Sequence, residues 1–115
     1  MVKLDNERGS ICISSDVITW LAGDAATRCF GVKGMAGRSN GLVQLLRRES
    51  MTKGVSVAPN EDGSITISLH IVVDHGVNLA ALSESIMNEV SYKVSSATNV
   101  PVRQVDVYVD SMIID

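Results

Sequence analysis

Four segments of the chain alternate apolar with polar residues, and this period of two predicts β-strands. They lie at 11–13, 55–57, 65–73 and 105–109. The third segment is the longest, and its apolar residues would all face one side of a sheet. The turn-forming residues at 60–63 separate the second strand from the third and predict a hairpin between them.

Two further segments have the 3.6-residue period of an amphipathic helix. The first covers 17–30 and would end at Gly31, and the second covers 79–97. Between the helices, 31–41 contains four glycines and is predicted to be a loop. The leucines that follow it predict a short helix over 42–50.

The order of these elements is β-α-(short α)-β-β-α-β. A sheet with one apolar face becomes stable when helices cover that face. We therefore predict an α+β fold, in which a single four-stranded mixed sheet carries two main helices on one face. A chain of 115 residues has the length of one domain, so we expect a single domain over 1–115.

The apolar residues are mostly aliphatic. Of the 115 residues, 45% are hydrophobic; 16 are Val and 9 are Ile, and only four are aromatic. Side chains branched at Cβ favour a core built on a sheet, and four rings leave little for stacking on bases or sugars. The periodicity places Phe30 on the core face of the first helix. It leaves Trp20, Tyr92 and Tyr108 outside the predicted core, which indicates contacts with other molecules.

Five residues are candidates for a protein contact. Trp20, Gly23 and Thr27 share the side of the first helix that faces away from the predicted core. A glycine beside a tryptophan would let a partner backbone approach closely, but a loop or the C-terminal tail of the same chain could equally cover the ring. His70 and Tyr108 would lie on the outer face of the sheet. That face is either a surface for self-association or for a partner, or a half-solvated face of an ordinary sheet.

Charge is unevenly distributed along the chain. The formal net charge is −3, with +3 in residues 1–53 and −6 in residues 54–115. A GxxG segment lies within the basic half, and glycine-rich backbone can hold phosphate groups through its amides. The order of elements around it resembles a KH-type nucleic-acid-binding module. The alternative function is therefore a nucleic-acid or phosphate-binding module that uses Gly31, Lys33, Gly34, Arg38, Arg47, Arg48 and Lys53.

The sequence shows no pattern typical of a catalytic or metal site. His70 and His75 would point to opposite faces of a strand, and neither has partners at a recognised metal spacing. Cys12 and Cys29 are expected to be buried thiols rather than a disulfide. No nucleophile elbow, zincin helix or Walker loop is present. We expect a protein that is not an enzyme and that binds no metal and no cofactor.

Neither a membrane span nor a signal peptide is predicted. The longest uninterrupted apolar run is Leu79–Leu82, whereas about 20 residues are needed to cross a bilayer. The first residues have no hydrophobic stretch of the kind that directs secretion. A cytoplasmic protein is therefore expected.

Ordered motifs along almost the whole chain resemble the alkaline shock protein family, whose members are also called envelope stress response proteins. The motifs are GSICISSDVI at 9–18, AGDAA at 22–26, CFGVKGM at 29–35, TKGVSV at 52–57 and IVVDHGVNL at 71–79. The long charged tails of larger members are absent. The chain most resembles the short branch, which is often encoded beside a dihydroxyacetone-kinase-like protein. It departs from the commoner pattern at Trp20 and at Asp74-His75.

The resemblance implies a cytoplasmic, non-enzymatic bacterial protein linked to envelope or alkaline stress. It brings no established catalytic residues. Some members reach the membrane through a membrane-anchored partner, so the partners expected here are a second copy of the chain and an unidentified membrane-anchored protein. Binding of nucleic acid and direct insertion into the membrane are not expected.

The helices also predict how the pure protein behaves with lipid. Neither amphipathic segment has the Lys- and Arg-rich polar face that is typical of helices lying on a membrane surface. The purified protein should therefore stay at the bottom of a gradient in a liposome flotation assay. Robust flotation without any partner would contradict this expectation.

Overall fold

The computed structural model describes residues 2–39 and 41–114. Seven strands and two long helices are present among them. In chain order they are β1 (Val2–Asn6), β2 (Gly9–Ile13), α1 (Ser15–Thr27), β3 (Val32–Ser39), β4 (Leu42–Leu45), a 3₁₀-helix (Arg48–Gly54), β5 (Val55–Pro59), β6 (Ile65–Asp74), α2 (Leu79–Thr98) and β7 (Val102–Ile113).

Strand β6 is the centre of a five-stranded sheet. Strand β7 runs parallel to β6 along its whole length, from Ile65 to Asp74. On the other side of β6, strand β5 pairs antiparallel with the first half of β6 and strand β3 with the second half. Strand β4 forms a hairpin with β3. The mixed α+β architecture is thus confirmed. The prediction of four strands is wrong, because the main sheet has five and β1 and β2 form a separate two-stranded sheet.

The core lies between one face of the main sheet and the two helices. Alternate residues of β6 point into it, and all five have no exposed surface: Ile65, Ile67, Leu69, Ile71 and Val73. Helix α1 contributes Ile18 and three alanines, and α2 contributes a stripe that runs from Leu82 to Val94. Ser14 caps the start of α1, Asn78 caps the start of α2, and Asn99 ends α2 with a left-handed φ of 59°. These caps satisfy backbone groups that the helix itself leaves unpaired.

The predicted loop over 31–41 is wrong for most of its length, because residues 32–39 form strand β3; Asn40 lies outside the described residues. The two glycines within β3, Gly34 and Gly37, serve close packing. A Cβ atom at Gly34 would lie 2.9 Å from the Leu45 side chain, and one at Gly37 would lie 2.7 Å from the Leu46 side chain. Glycine in a strand often marks such a close approach.

The predicted short helix over 42–50 is also wrong. Its first residues form β4, and Leu45 of β4 and the next residue, Leu46, extend over the glycines of β3. The amide of Leu46 donates to the carbonyl of Met35. Only from Arg48 onward does the chain turn helically, as the 3₁₀-helix. Spacing of leucines alone does not distinguish a short helix from an edge strand.

The predicted strand at 11–13 exists, but it pairs with β1 and lies outside the main sheet. The pairing aligns Val2 with Ile13 and Leu4 with Ile11, so the hairpin has one apolar face. Val2 is buried against the core, whereas Ile11 is exposed. One end of this apolar face, at Val2, therefore packs on the core, and the other end, at Ile11, is exposed to solvent.

Two glycines provide a matched test of the packing. A Cβ atom at Gly54 would lie 2.8 Å from the Ala36 carbonyl oxygen, which is backbone and cannot move aside easily. We expect Gly54→Ala to lower the free energy of unfolding by about 1–3 kcal/mol, as overpacking does. In helix α1, a Cβ atom at Gly23 would meet the flexible Met51 side chain at 3.4 Å. Gly23→Ala should therefore be neutral or stabilise by up to about 1 kcal/mol, because alanine favours helix.

Urea denaturation of both variants measures the difference. Equal losses of stability in the two variants would contradict the described approach of the 3₁₀-helix to β3.

Candidate functional site

All four aromatic residues of the chain lie at the surface. Phe30 is 95% exposed, Tyr92 72%, Tyr108 47% and Trp20 45%. The placement of Phe30 on the core face is therefore wrong. Helix α1 ends at Thr27, and Gly31 adopts a φ of 98°, so Phe30 lies on a turn instead of on the helix. The rings that the sequence placed outside the core are exposed there, as expected.

An open hollow of about 690 Å³ lies beside Phe30. It is formed where β6 ends and α2 begins, and its lining includes His75, Val77, Ala81 and Leu82. Phe30 also lines a smaller hollow of about 260 Å³, together with Arg28, Ser85 and Glu89, among others. The ring thus borders two concave surfaces. An exposed aromatic ring beside a partly apolar hollow is typical of a contact surface.

A second group of residues is organised around Asp24 of α1, whose side chain is only 4% exposed. Arg28 donates from Nε to its Oδ2 at 3.1 Å, and Arg48 donates from Nη2 to its Oδ1 at 2.6 Å. Lys93 of α2 places Nζ 3.9 Å from Oδ2. One carboxylate thereby joins α1, the 3₁₀-helix and α2. We call these four residues the Asp24 cluster.

Two opposing effects act on the pKa of Asp24. Burial acts to raise it, because the charged form loses hydration. Hydrogen bonds and charge from Arg48 and Arg28 outweigh burial and hold the pKa of Asp24 below its usual value. The carboxylate is therefore ionised in the folded protein at neutral pH, and the cluster contains one negative and three positive side chains.

Trp20, Gly23 and Thr27 do not form one exposed surface. Arg48 lies over the Trp20 ring, 5.3 Å from its centroid, so a residue of the 3₁₀-helix covers one side of the ring. Gly23 is buried against Met51, and the Thr27 hydroxyl donates back to carbonyls of its own helix. Of the three, Trp20 alone is exposed. The C-terminal tail, which was the other candidate cover, instead extends β7 as far as Ile113.

His70 and Tyr108 are neighbours on the outer face of the sheet, as predicted. Their rings stack with centroids 4.7 Å apart and planes 10° from parallel. Nδ1 of His70 lies 2.9 Å from Oδ2 of Asp110, at a position where β7 shifts register against β6. The stack occupies one side of Tyr108, so this face offers a partner the other side of the ring and the polar groups around it.

The GxxG segment does not form the loop that a KH-type module requires. Gly31 precedes β3 and Gly34 lies within it, buried beneath Leu45. Lys33 pairs with Asp74 at 3.4 Å, and Arg48 belongs to the Asp24 cluster. The remaining basic residues of the alternative, Arg38, Arg47 and Lys53, are exposed on β3 and around the 3₁₀-helix. The basic residues of the alternative function therefore lie on different elements, and two of them already pair with acidic side chains.

The two cysteines differ in environment. Cys29 is partly buried, its Sγ donates to the carbonyl of Ala25, and burial raises the pKa of the thiol. Cys12 is exposed, so its expected burial is wrong; it lies on the solvent side of the β1–β2 hairpin. Within residues 2–39 and 41–114, no group of three or more potential ligands could hold a metal ion, and no helix is long and apolar enough to cross a membrane.

Sequence reasoning missed the residues that join the helices: Asp24, Arg28 and Lys93. One signal was present, because Asp24 lies among the small residues of Ala22–Ala26, at the edge of the apolar face of a predicted helix. A charged residue at such a position needs a partner. The partners themselves lie 4, 24 and 69 residues away along the chain, and only the fold brings them together.

Comparisons with known proteins match nearly the whole chain. Residues 3–114 match the model of the alkaline shock protein family, which is described as having a cell envelope-related function. The chain is 32% identical to the uncharacterized protein YloU of Bacillus subtilis strain 168, covering 96% of this chain and 94% of that protein. It is 34% identical to the uncharacterized protein Spy1614 of Streptococcus pyogenes serotype M6, covering 96% and 93%. No solved structure shows significant similarity to the chain.

The Asp24 cluster predicts a specific dependence of stability on pH. The pKa of Asp24 is lowered in the folded state, so its contribution is complete above the unfolded value of about 3.9 and is lost as the pH falls below it. Asp24→Asn should lower the free energy of unfolding at pH 7 by about 1–2 kcal/mol, since the cations are half-exposed. The variant should also lose less stability than the wild type as the pH falls from neutral through the unfolded value of about 3.9 and below it, because only the wild type then loses the ionised carboxylate.

Denaturation at several pH values tests this, with Asp16→Asn as the control, because Asp16 is an exposed acid on the same helix. An Asp24→Asn protein with the same acid sensitivity as the control would contradict the role assigned to the carboxylate.

Proposed function

Since this chain belongs to the alkaline shock protein family, whose function is described as cell envelope-related, we propose that it is a non-catalytic protein-interaction module that serves the cell envelope. The family match covers residues 3–114 and confirms the resemblance seen in the sequence motifs. The proposed role is that of a scaffold: the protein presents preformed surfaces to a partner or to a second copy.

The observation that supports this proposal most strongly is the exposure of Phe30. A phenylalanine with 95% of its surface in water contributes almost nothing to the core. Burying such a side chain in a contact is worth about 1.5–3 kcal/mol. Phe30 also lines two hollows into which groups of a partner would fit. Residues with this combination of aromatic character and adjoining concavity tend to dominate the energy of protein contacts.

The remaining rings extend the same argument. Tyr92 is exposed on α2, and Tyr108 is exposed on the opposite side of the sheet. A protein that places every ring at its surface has several candidate contact points instead of one. This arrangement suits a scaffold better than an enzyme, which concentrates its functional residues at one concave site.

The proposal includes a location and a kind of partner. We place the protein in the cytoplasm, where a membrane-anchored protein partner would bring it to the envelope. The envelope-related function of the family supports the location, and the exposed rings support contact through a protein. No observation favours the nucleic-acid alternative, since its glycine segment belongs to a strand.

Site-specific photocrosslinking in cells tests the proposal. A photoreactive phenylalanine analogue at position 30 should give a discrete crosslinked product, because the ring projects into any contact made there. The same analogue at Glu61, an exposed polar position in the turn between β5 and β6, is the control and should give no product of that size. In parallel, Phe30→Ala should change the free energy of unfolding by less than about 0.5 kcal/mol, as is usual for exposed side chains.

Two results would contradict the proposed role. The first is the absence of any discrete product at position 30 and at the positions of the other three rings. The second is a large loss of stability in Phe30→Ala, which would mean that the ring supports the fold itself.

A further inference from the structure

The Asp24 cluster contains more positive charge than is needed to neutralise its one carboxylate. Three cations, from Arg28, Arg48 and Lys93, converge on a single carboxylate. One cation is enough to neutralise Asp24, so the four groups together carry a charge of +2. Glu89 is the nearest additional acid on α2, one turn before Lys93, but it makes no ion pair with these cations among the described residues.

The cations also keep unused hydrogen-bond donors. Arg28 uses Nε for Asp24, and Arg48 uses Nη2, so each guanidinium retains donors that have no partner among the described residues. Their side chains are 69% and 56% exposed, and that of Lys93 is 45% exposed. A guanidinium presents its donors in a planar fork that matches the two oxygens of a carboxylate. The buried carboxylate fixes the cations in place, and their outer sides remain available.

Trp20 adds an apolar neighbour to these donors. Its ring is 45% exposed and lies beneath Arg48. Tryptophan and arginine are the residue types most enriched where protein contacts are strongest. The combination offers charge for an acidic side chain and a ring for an apolar side chain next to it.

From this geometry we propose that the Asp24 cluster and Trp20 form a docking point for an acidic segment of a partner protein. A glutamate or aspartate of the segment binds the outer donors of Arg28 and Lys93, and an adjoining aliphatic residue packs on Trp20. The inference rests on the proposed interaction role and names the chemistry of one partner. A nucleic-acid backbone fits less well, because it needs basic residues along a track, whereas Lys33 is already paired with Asp74.

The single tryptophan of the chain lies in the proposed site and reports binding directly. The probe is a synthetic peptide of alternating Glu and Leu, and the matched control is the same peptide with Gln in place of Glu. At low salt, the Glu peptide should change the Trp20 fluorescence saturably, with a dissociation constant at least about tenfold lower than that of the Gln peptide. Raising the salt to about 0.5 M should weaken the Glu peptide severalfold, because ions screen exposed charges.

Charge variants locate the site. Arg28→Gln and Lys93→Gln should each weaken the Glu peptide at least about threefold, while Asp24 keeps its bond to Arg48. Arg8→Gln, on the β1–β2 hairpin, removes the same charge elsewhere and should leave binding unchanged. Circular dichroism and thermal unfolding verify that the variants remain folded. Equal weakening by Arg8→Gln would overturn the inference, because it would show that binding of the peptide depends only on the overall charge of the protein.

Other ligands of the Asp24 cluster are tested in the same way. Vesicles of phosphatidylglycerol and inorganic phosphate are added in place of the peptide while Trp20 fluorescence is measured. Dimerisation of the protein is measured by sedimentation. A response to any of these that Arg28→Gln abolishes, without a response to the Glu peptide, would overturn the acidic-segment inference. If the peptide fails to bind while crosslinks persist at position 30, this inference falls and the interaction role stands. If both fail, both are wrong.

Discussion

Strand β6 is the constraint on which the rest of the structure depends. It pairs with three other strands, and its five core-facing side chains are completely buried. Successive residues of β6 alternate between the core, which the two helices cover, and the outer face of the sheet. The buried residues are aliphatic, and helix α1 adds Ile18 and the small Ala22, Ala25 and Ala26 to the same core. A closely packed aliphatic core of this kind would be overpacked by an aromatic ring.

The position of the four rings follows from this packing. A core filled by Val, Ile, Leu, Met and Ala leaves the rings for the surface, where they can add to binding. The Asp24 cluster then holds the elements around the core together from outside. Its carboxylate connects two helices and the 3₁₀-helix, so the elements around Trp20 are joined before any partner arrives. Preorganised surfaces lose less conformational entropy when they bind.

Long, regular patterns could be predicted from the sequence, and short glycine-rich ones could not. The alternation in β6 and the stripe from Leu82 to Val94 gave the central strand and the long helix correctly, because each pattern repeats several times. Residues 31–50 were misassigned because glycine has two uses. It permits unusual backbone, but at Gly34 and Gly37 it makes room for Leu45 of β4 and for Leu46, which follows β4. Phe30 was misplaced because the helix ended three residues earlier than its apolar pattern. The Asp24 cluster depends on residues far apart in the chain, and no local pattern contains them.

The central claim is that the rings are outside the core so that other molecules can cover them. Hydroxyl-radical footprinting, performed on the purified protein and inside living cells, measures the accessibility of each ring directly. The account predicts that all four rings are modified in the purified protein. Relative to the intrinsic reactivity of each kind of ring, Phe30 should be modified most, and it should become protected in cells. Equal modification of Phe30 in both settings would contradict the claim, and so would protection of Phe30 in the purified protein at dilutions where it is a monomer.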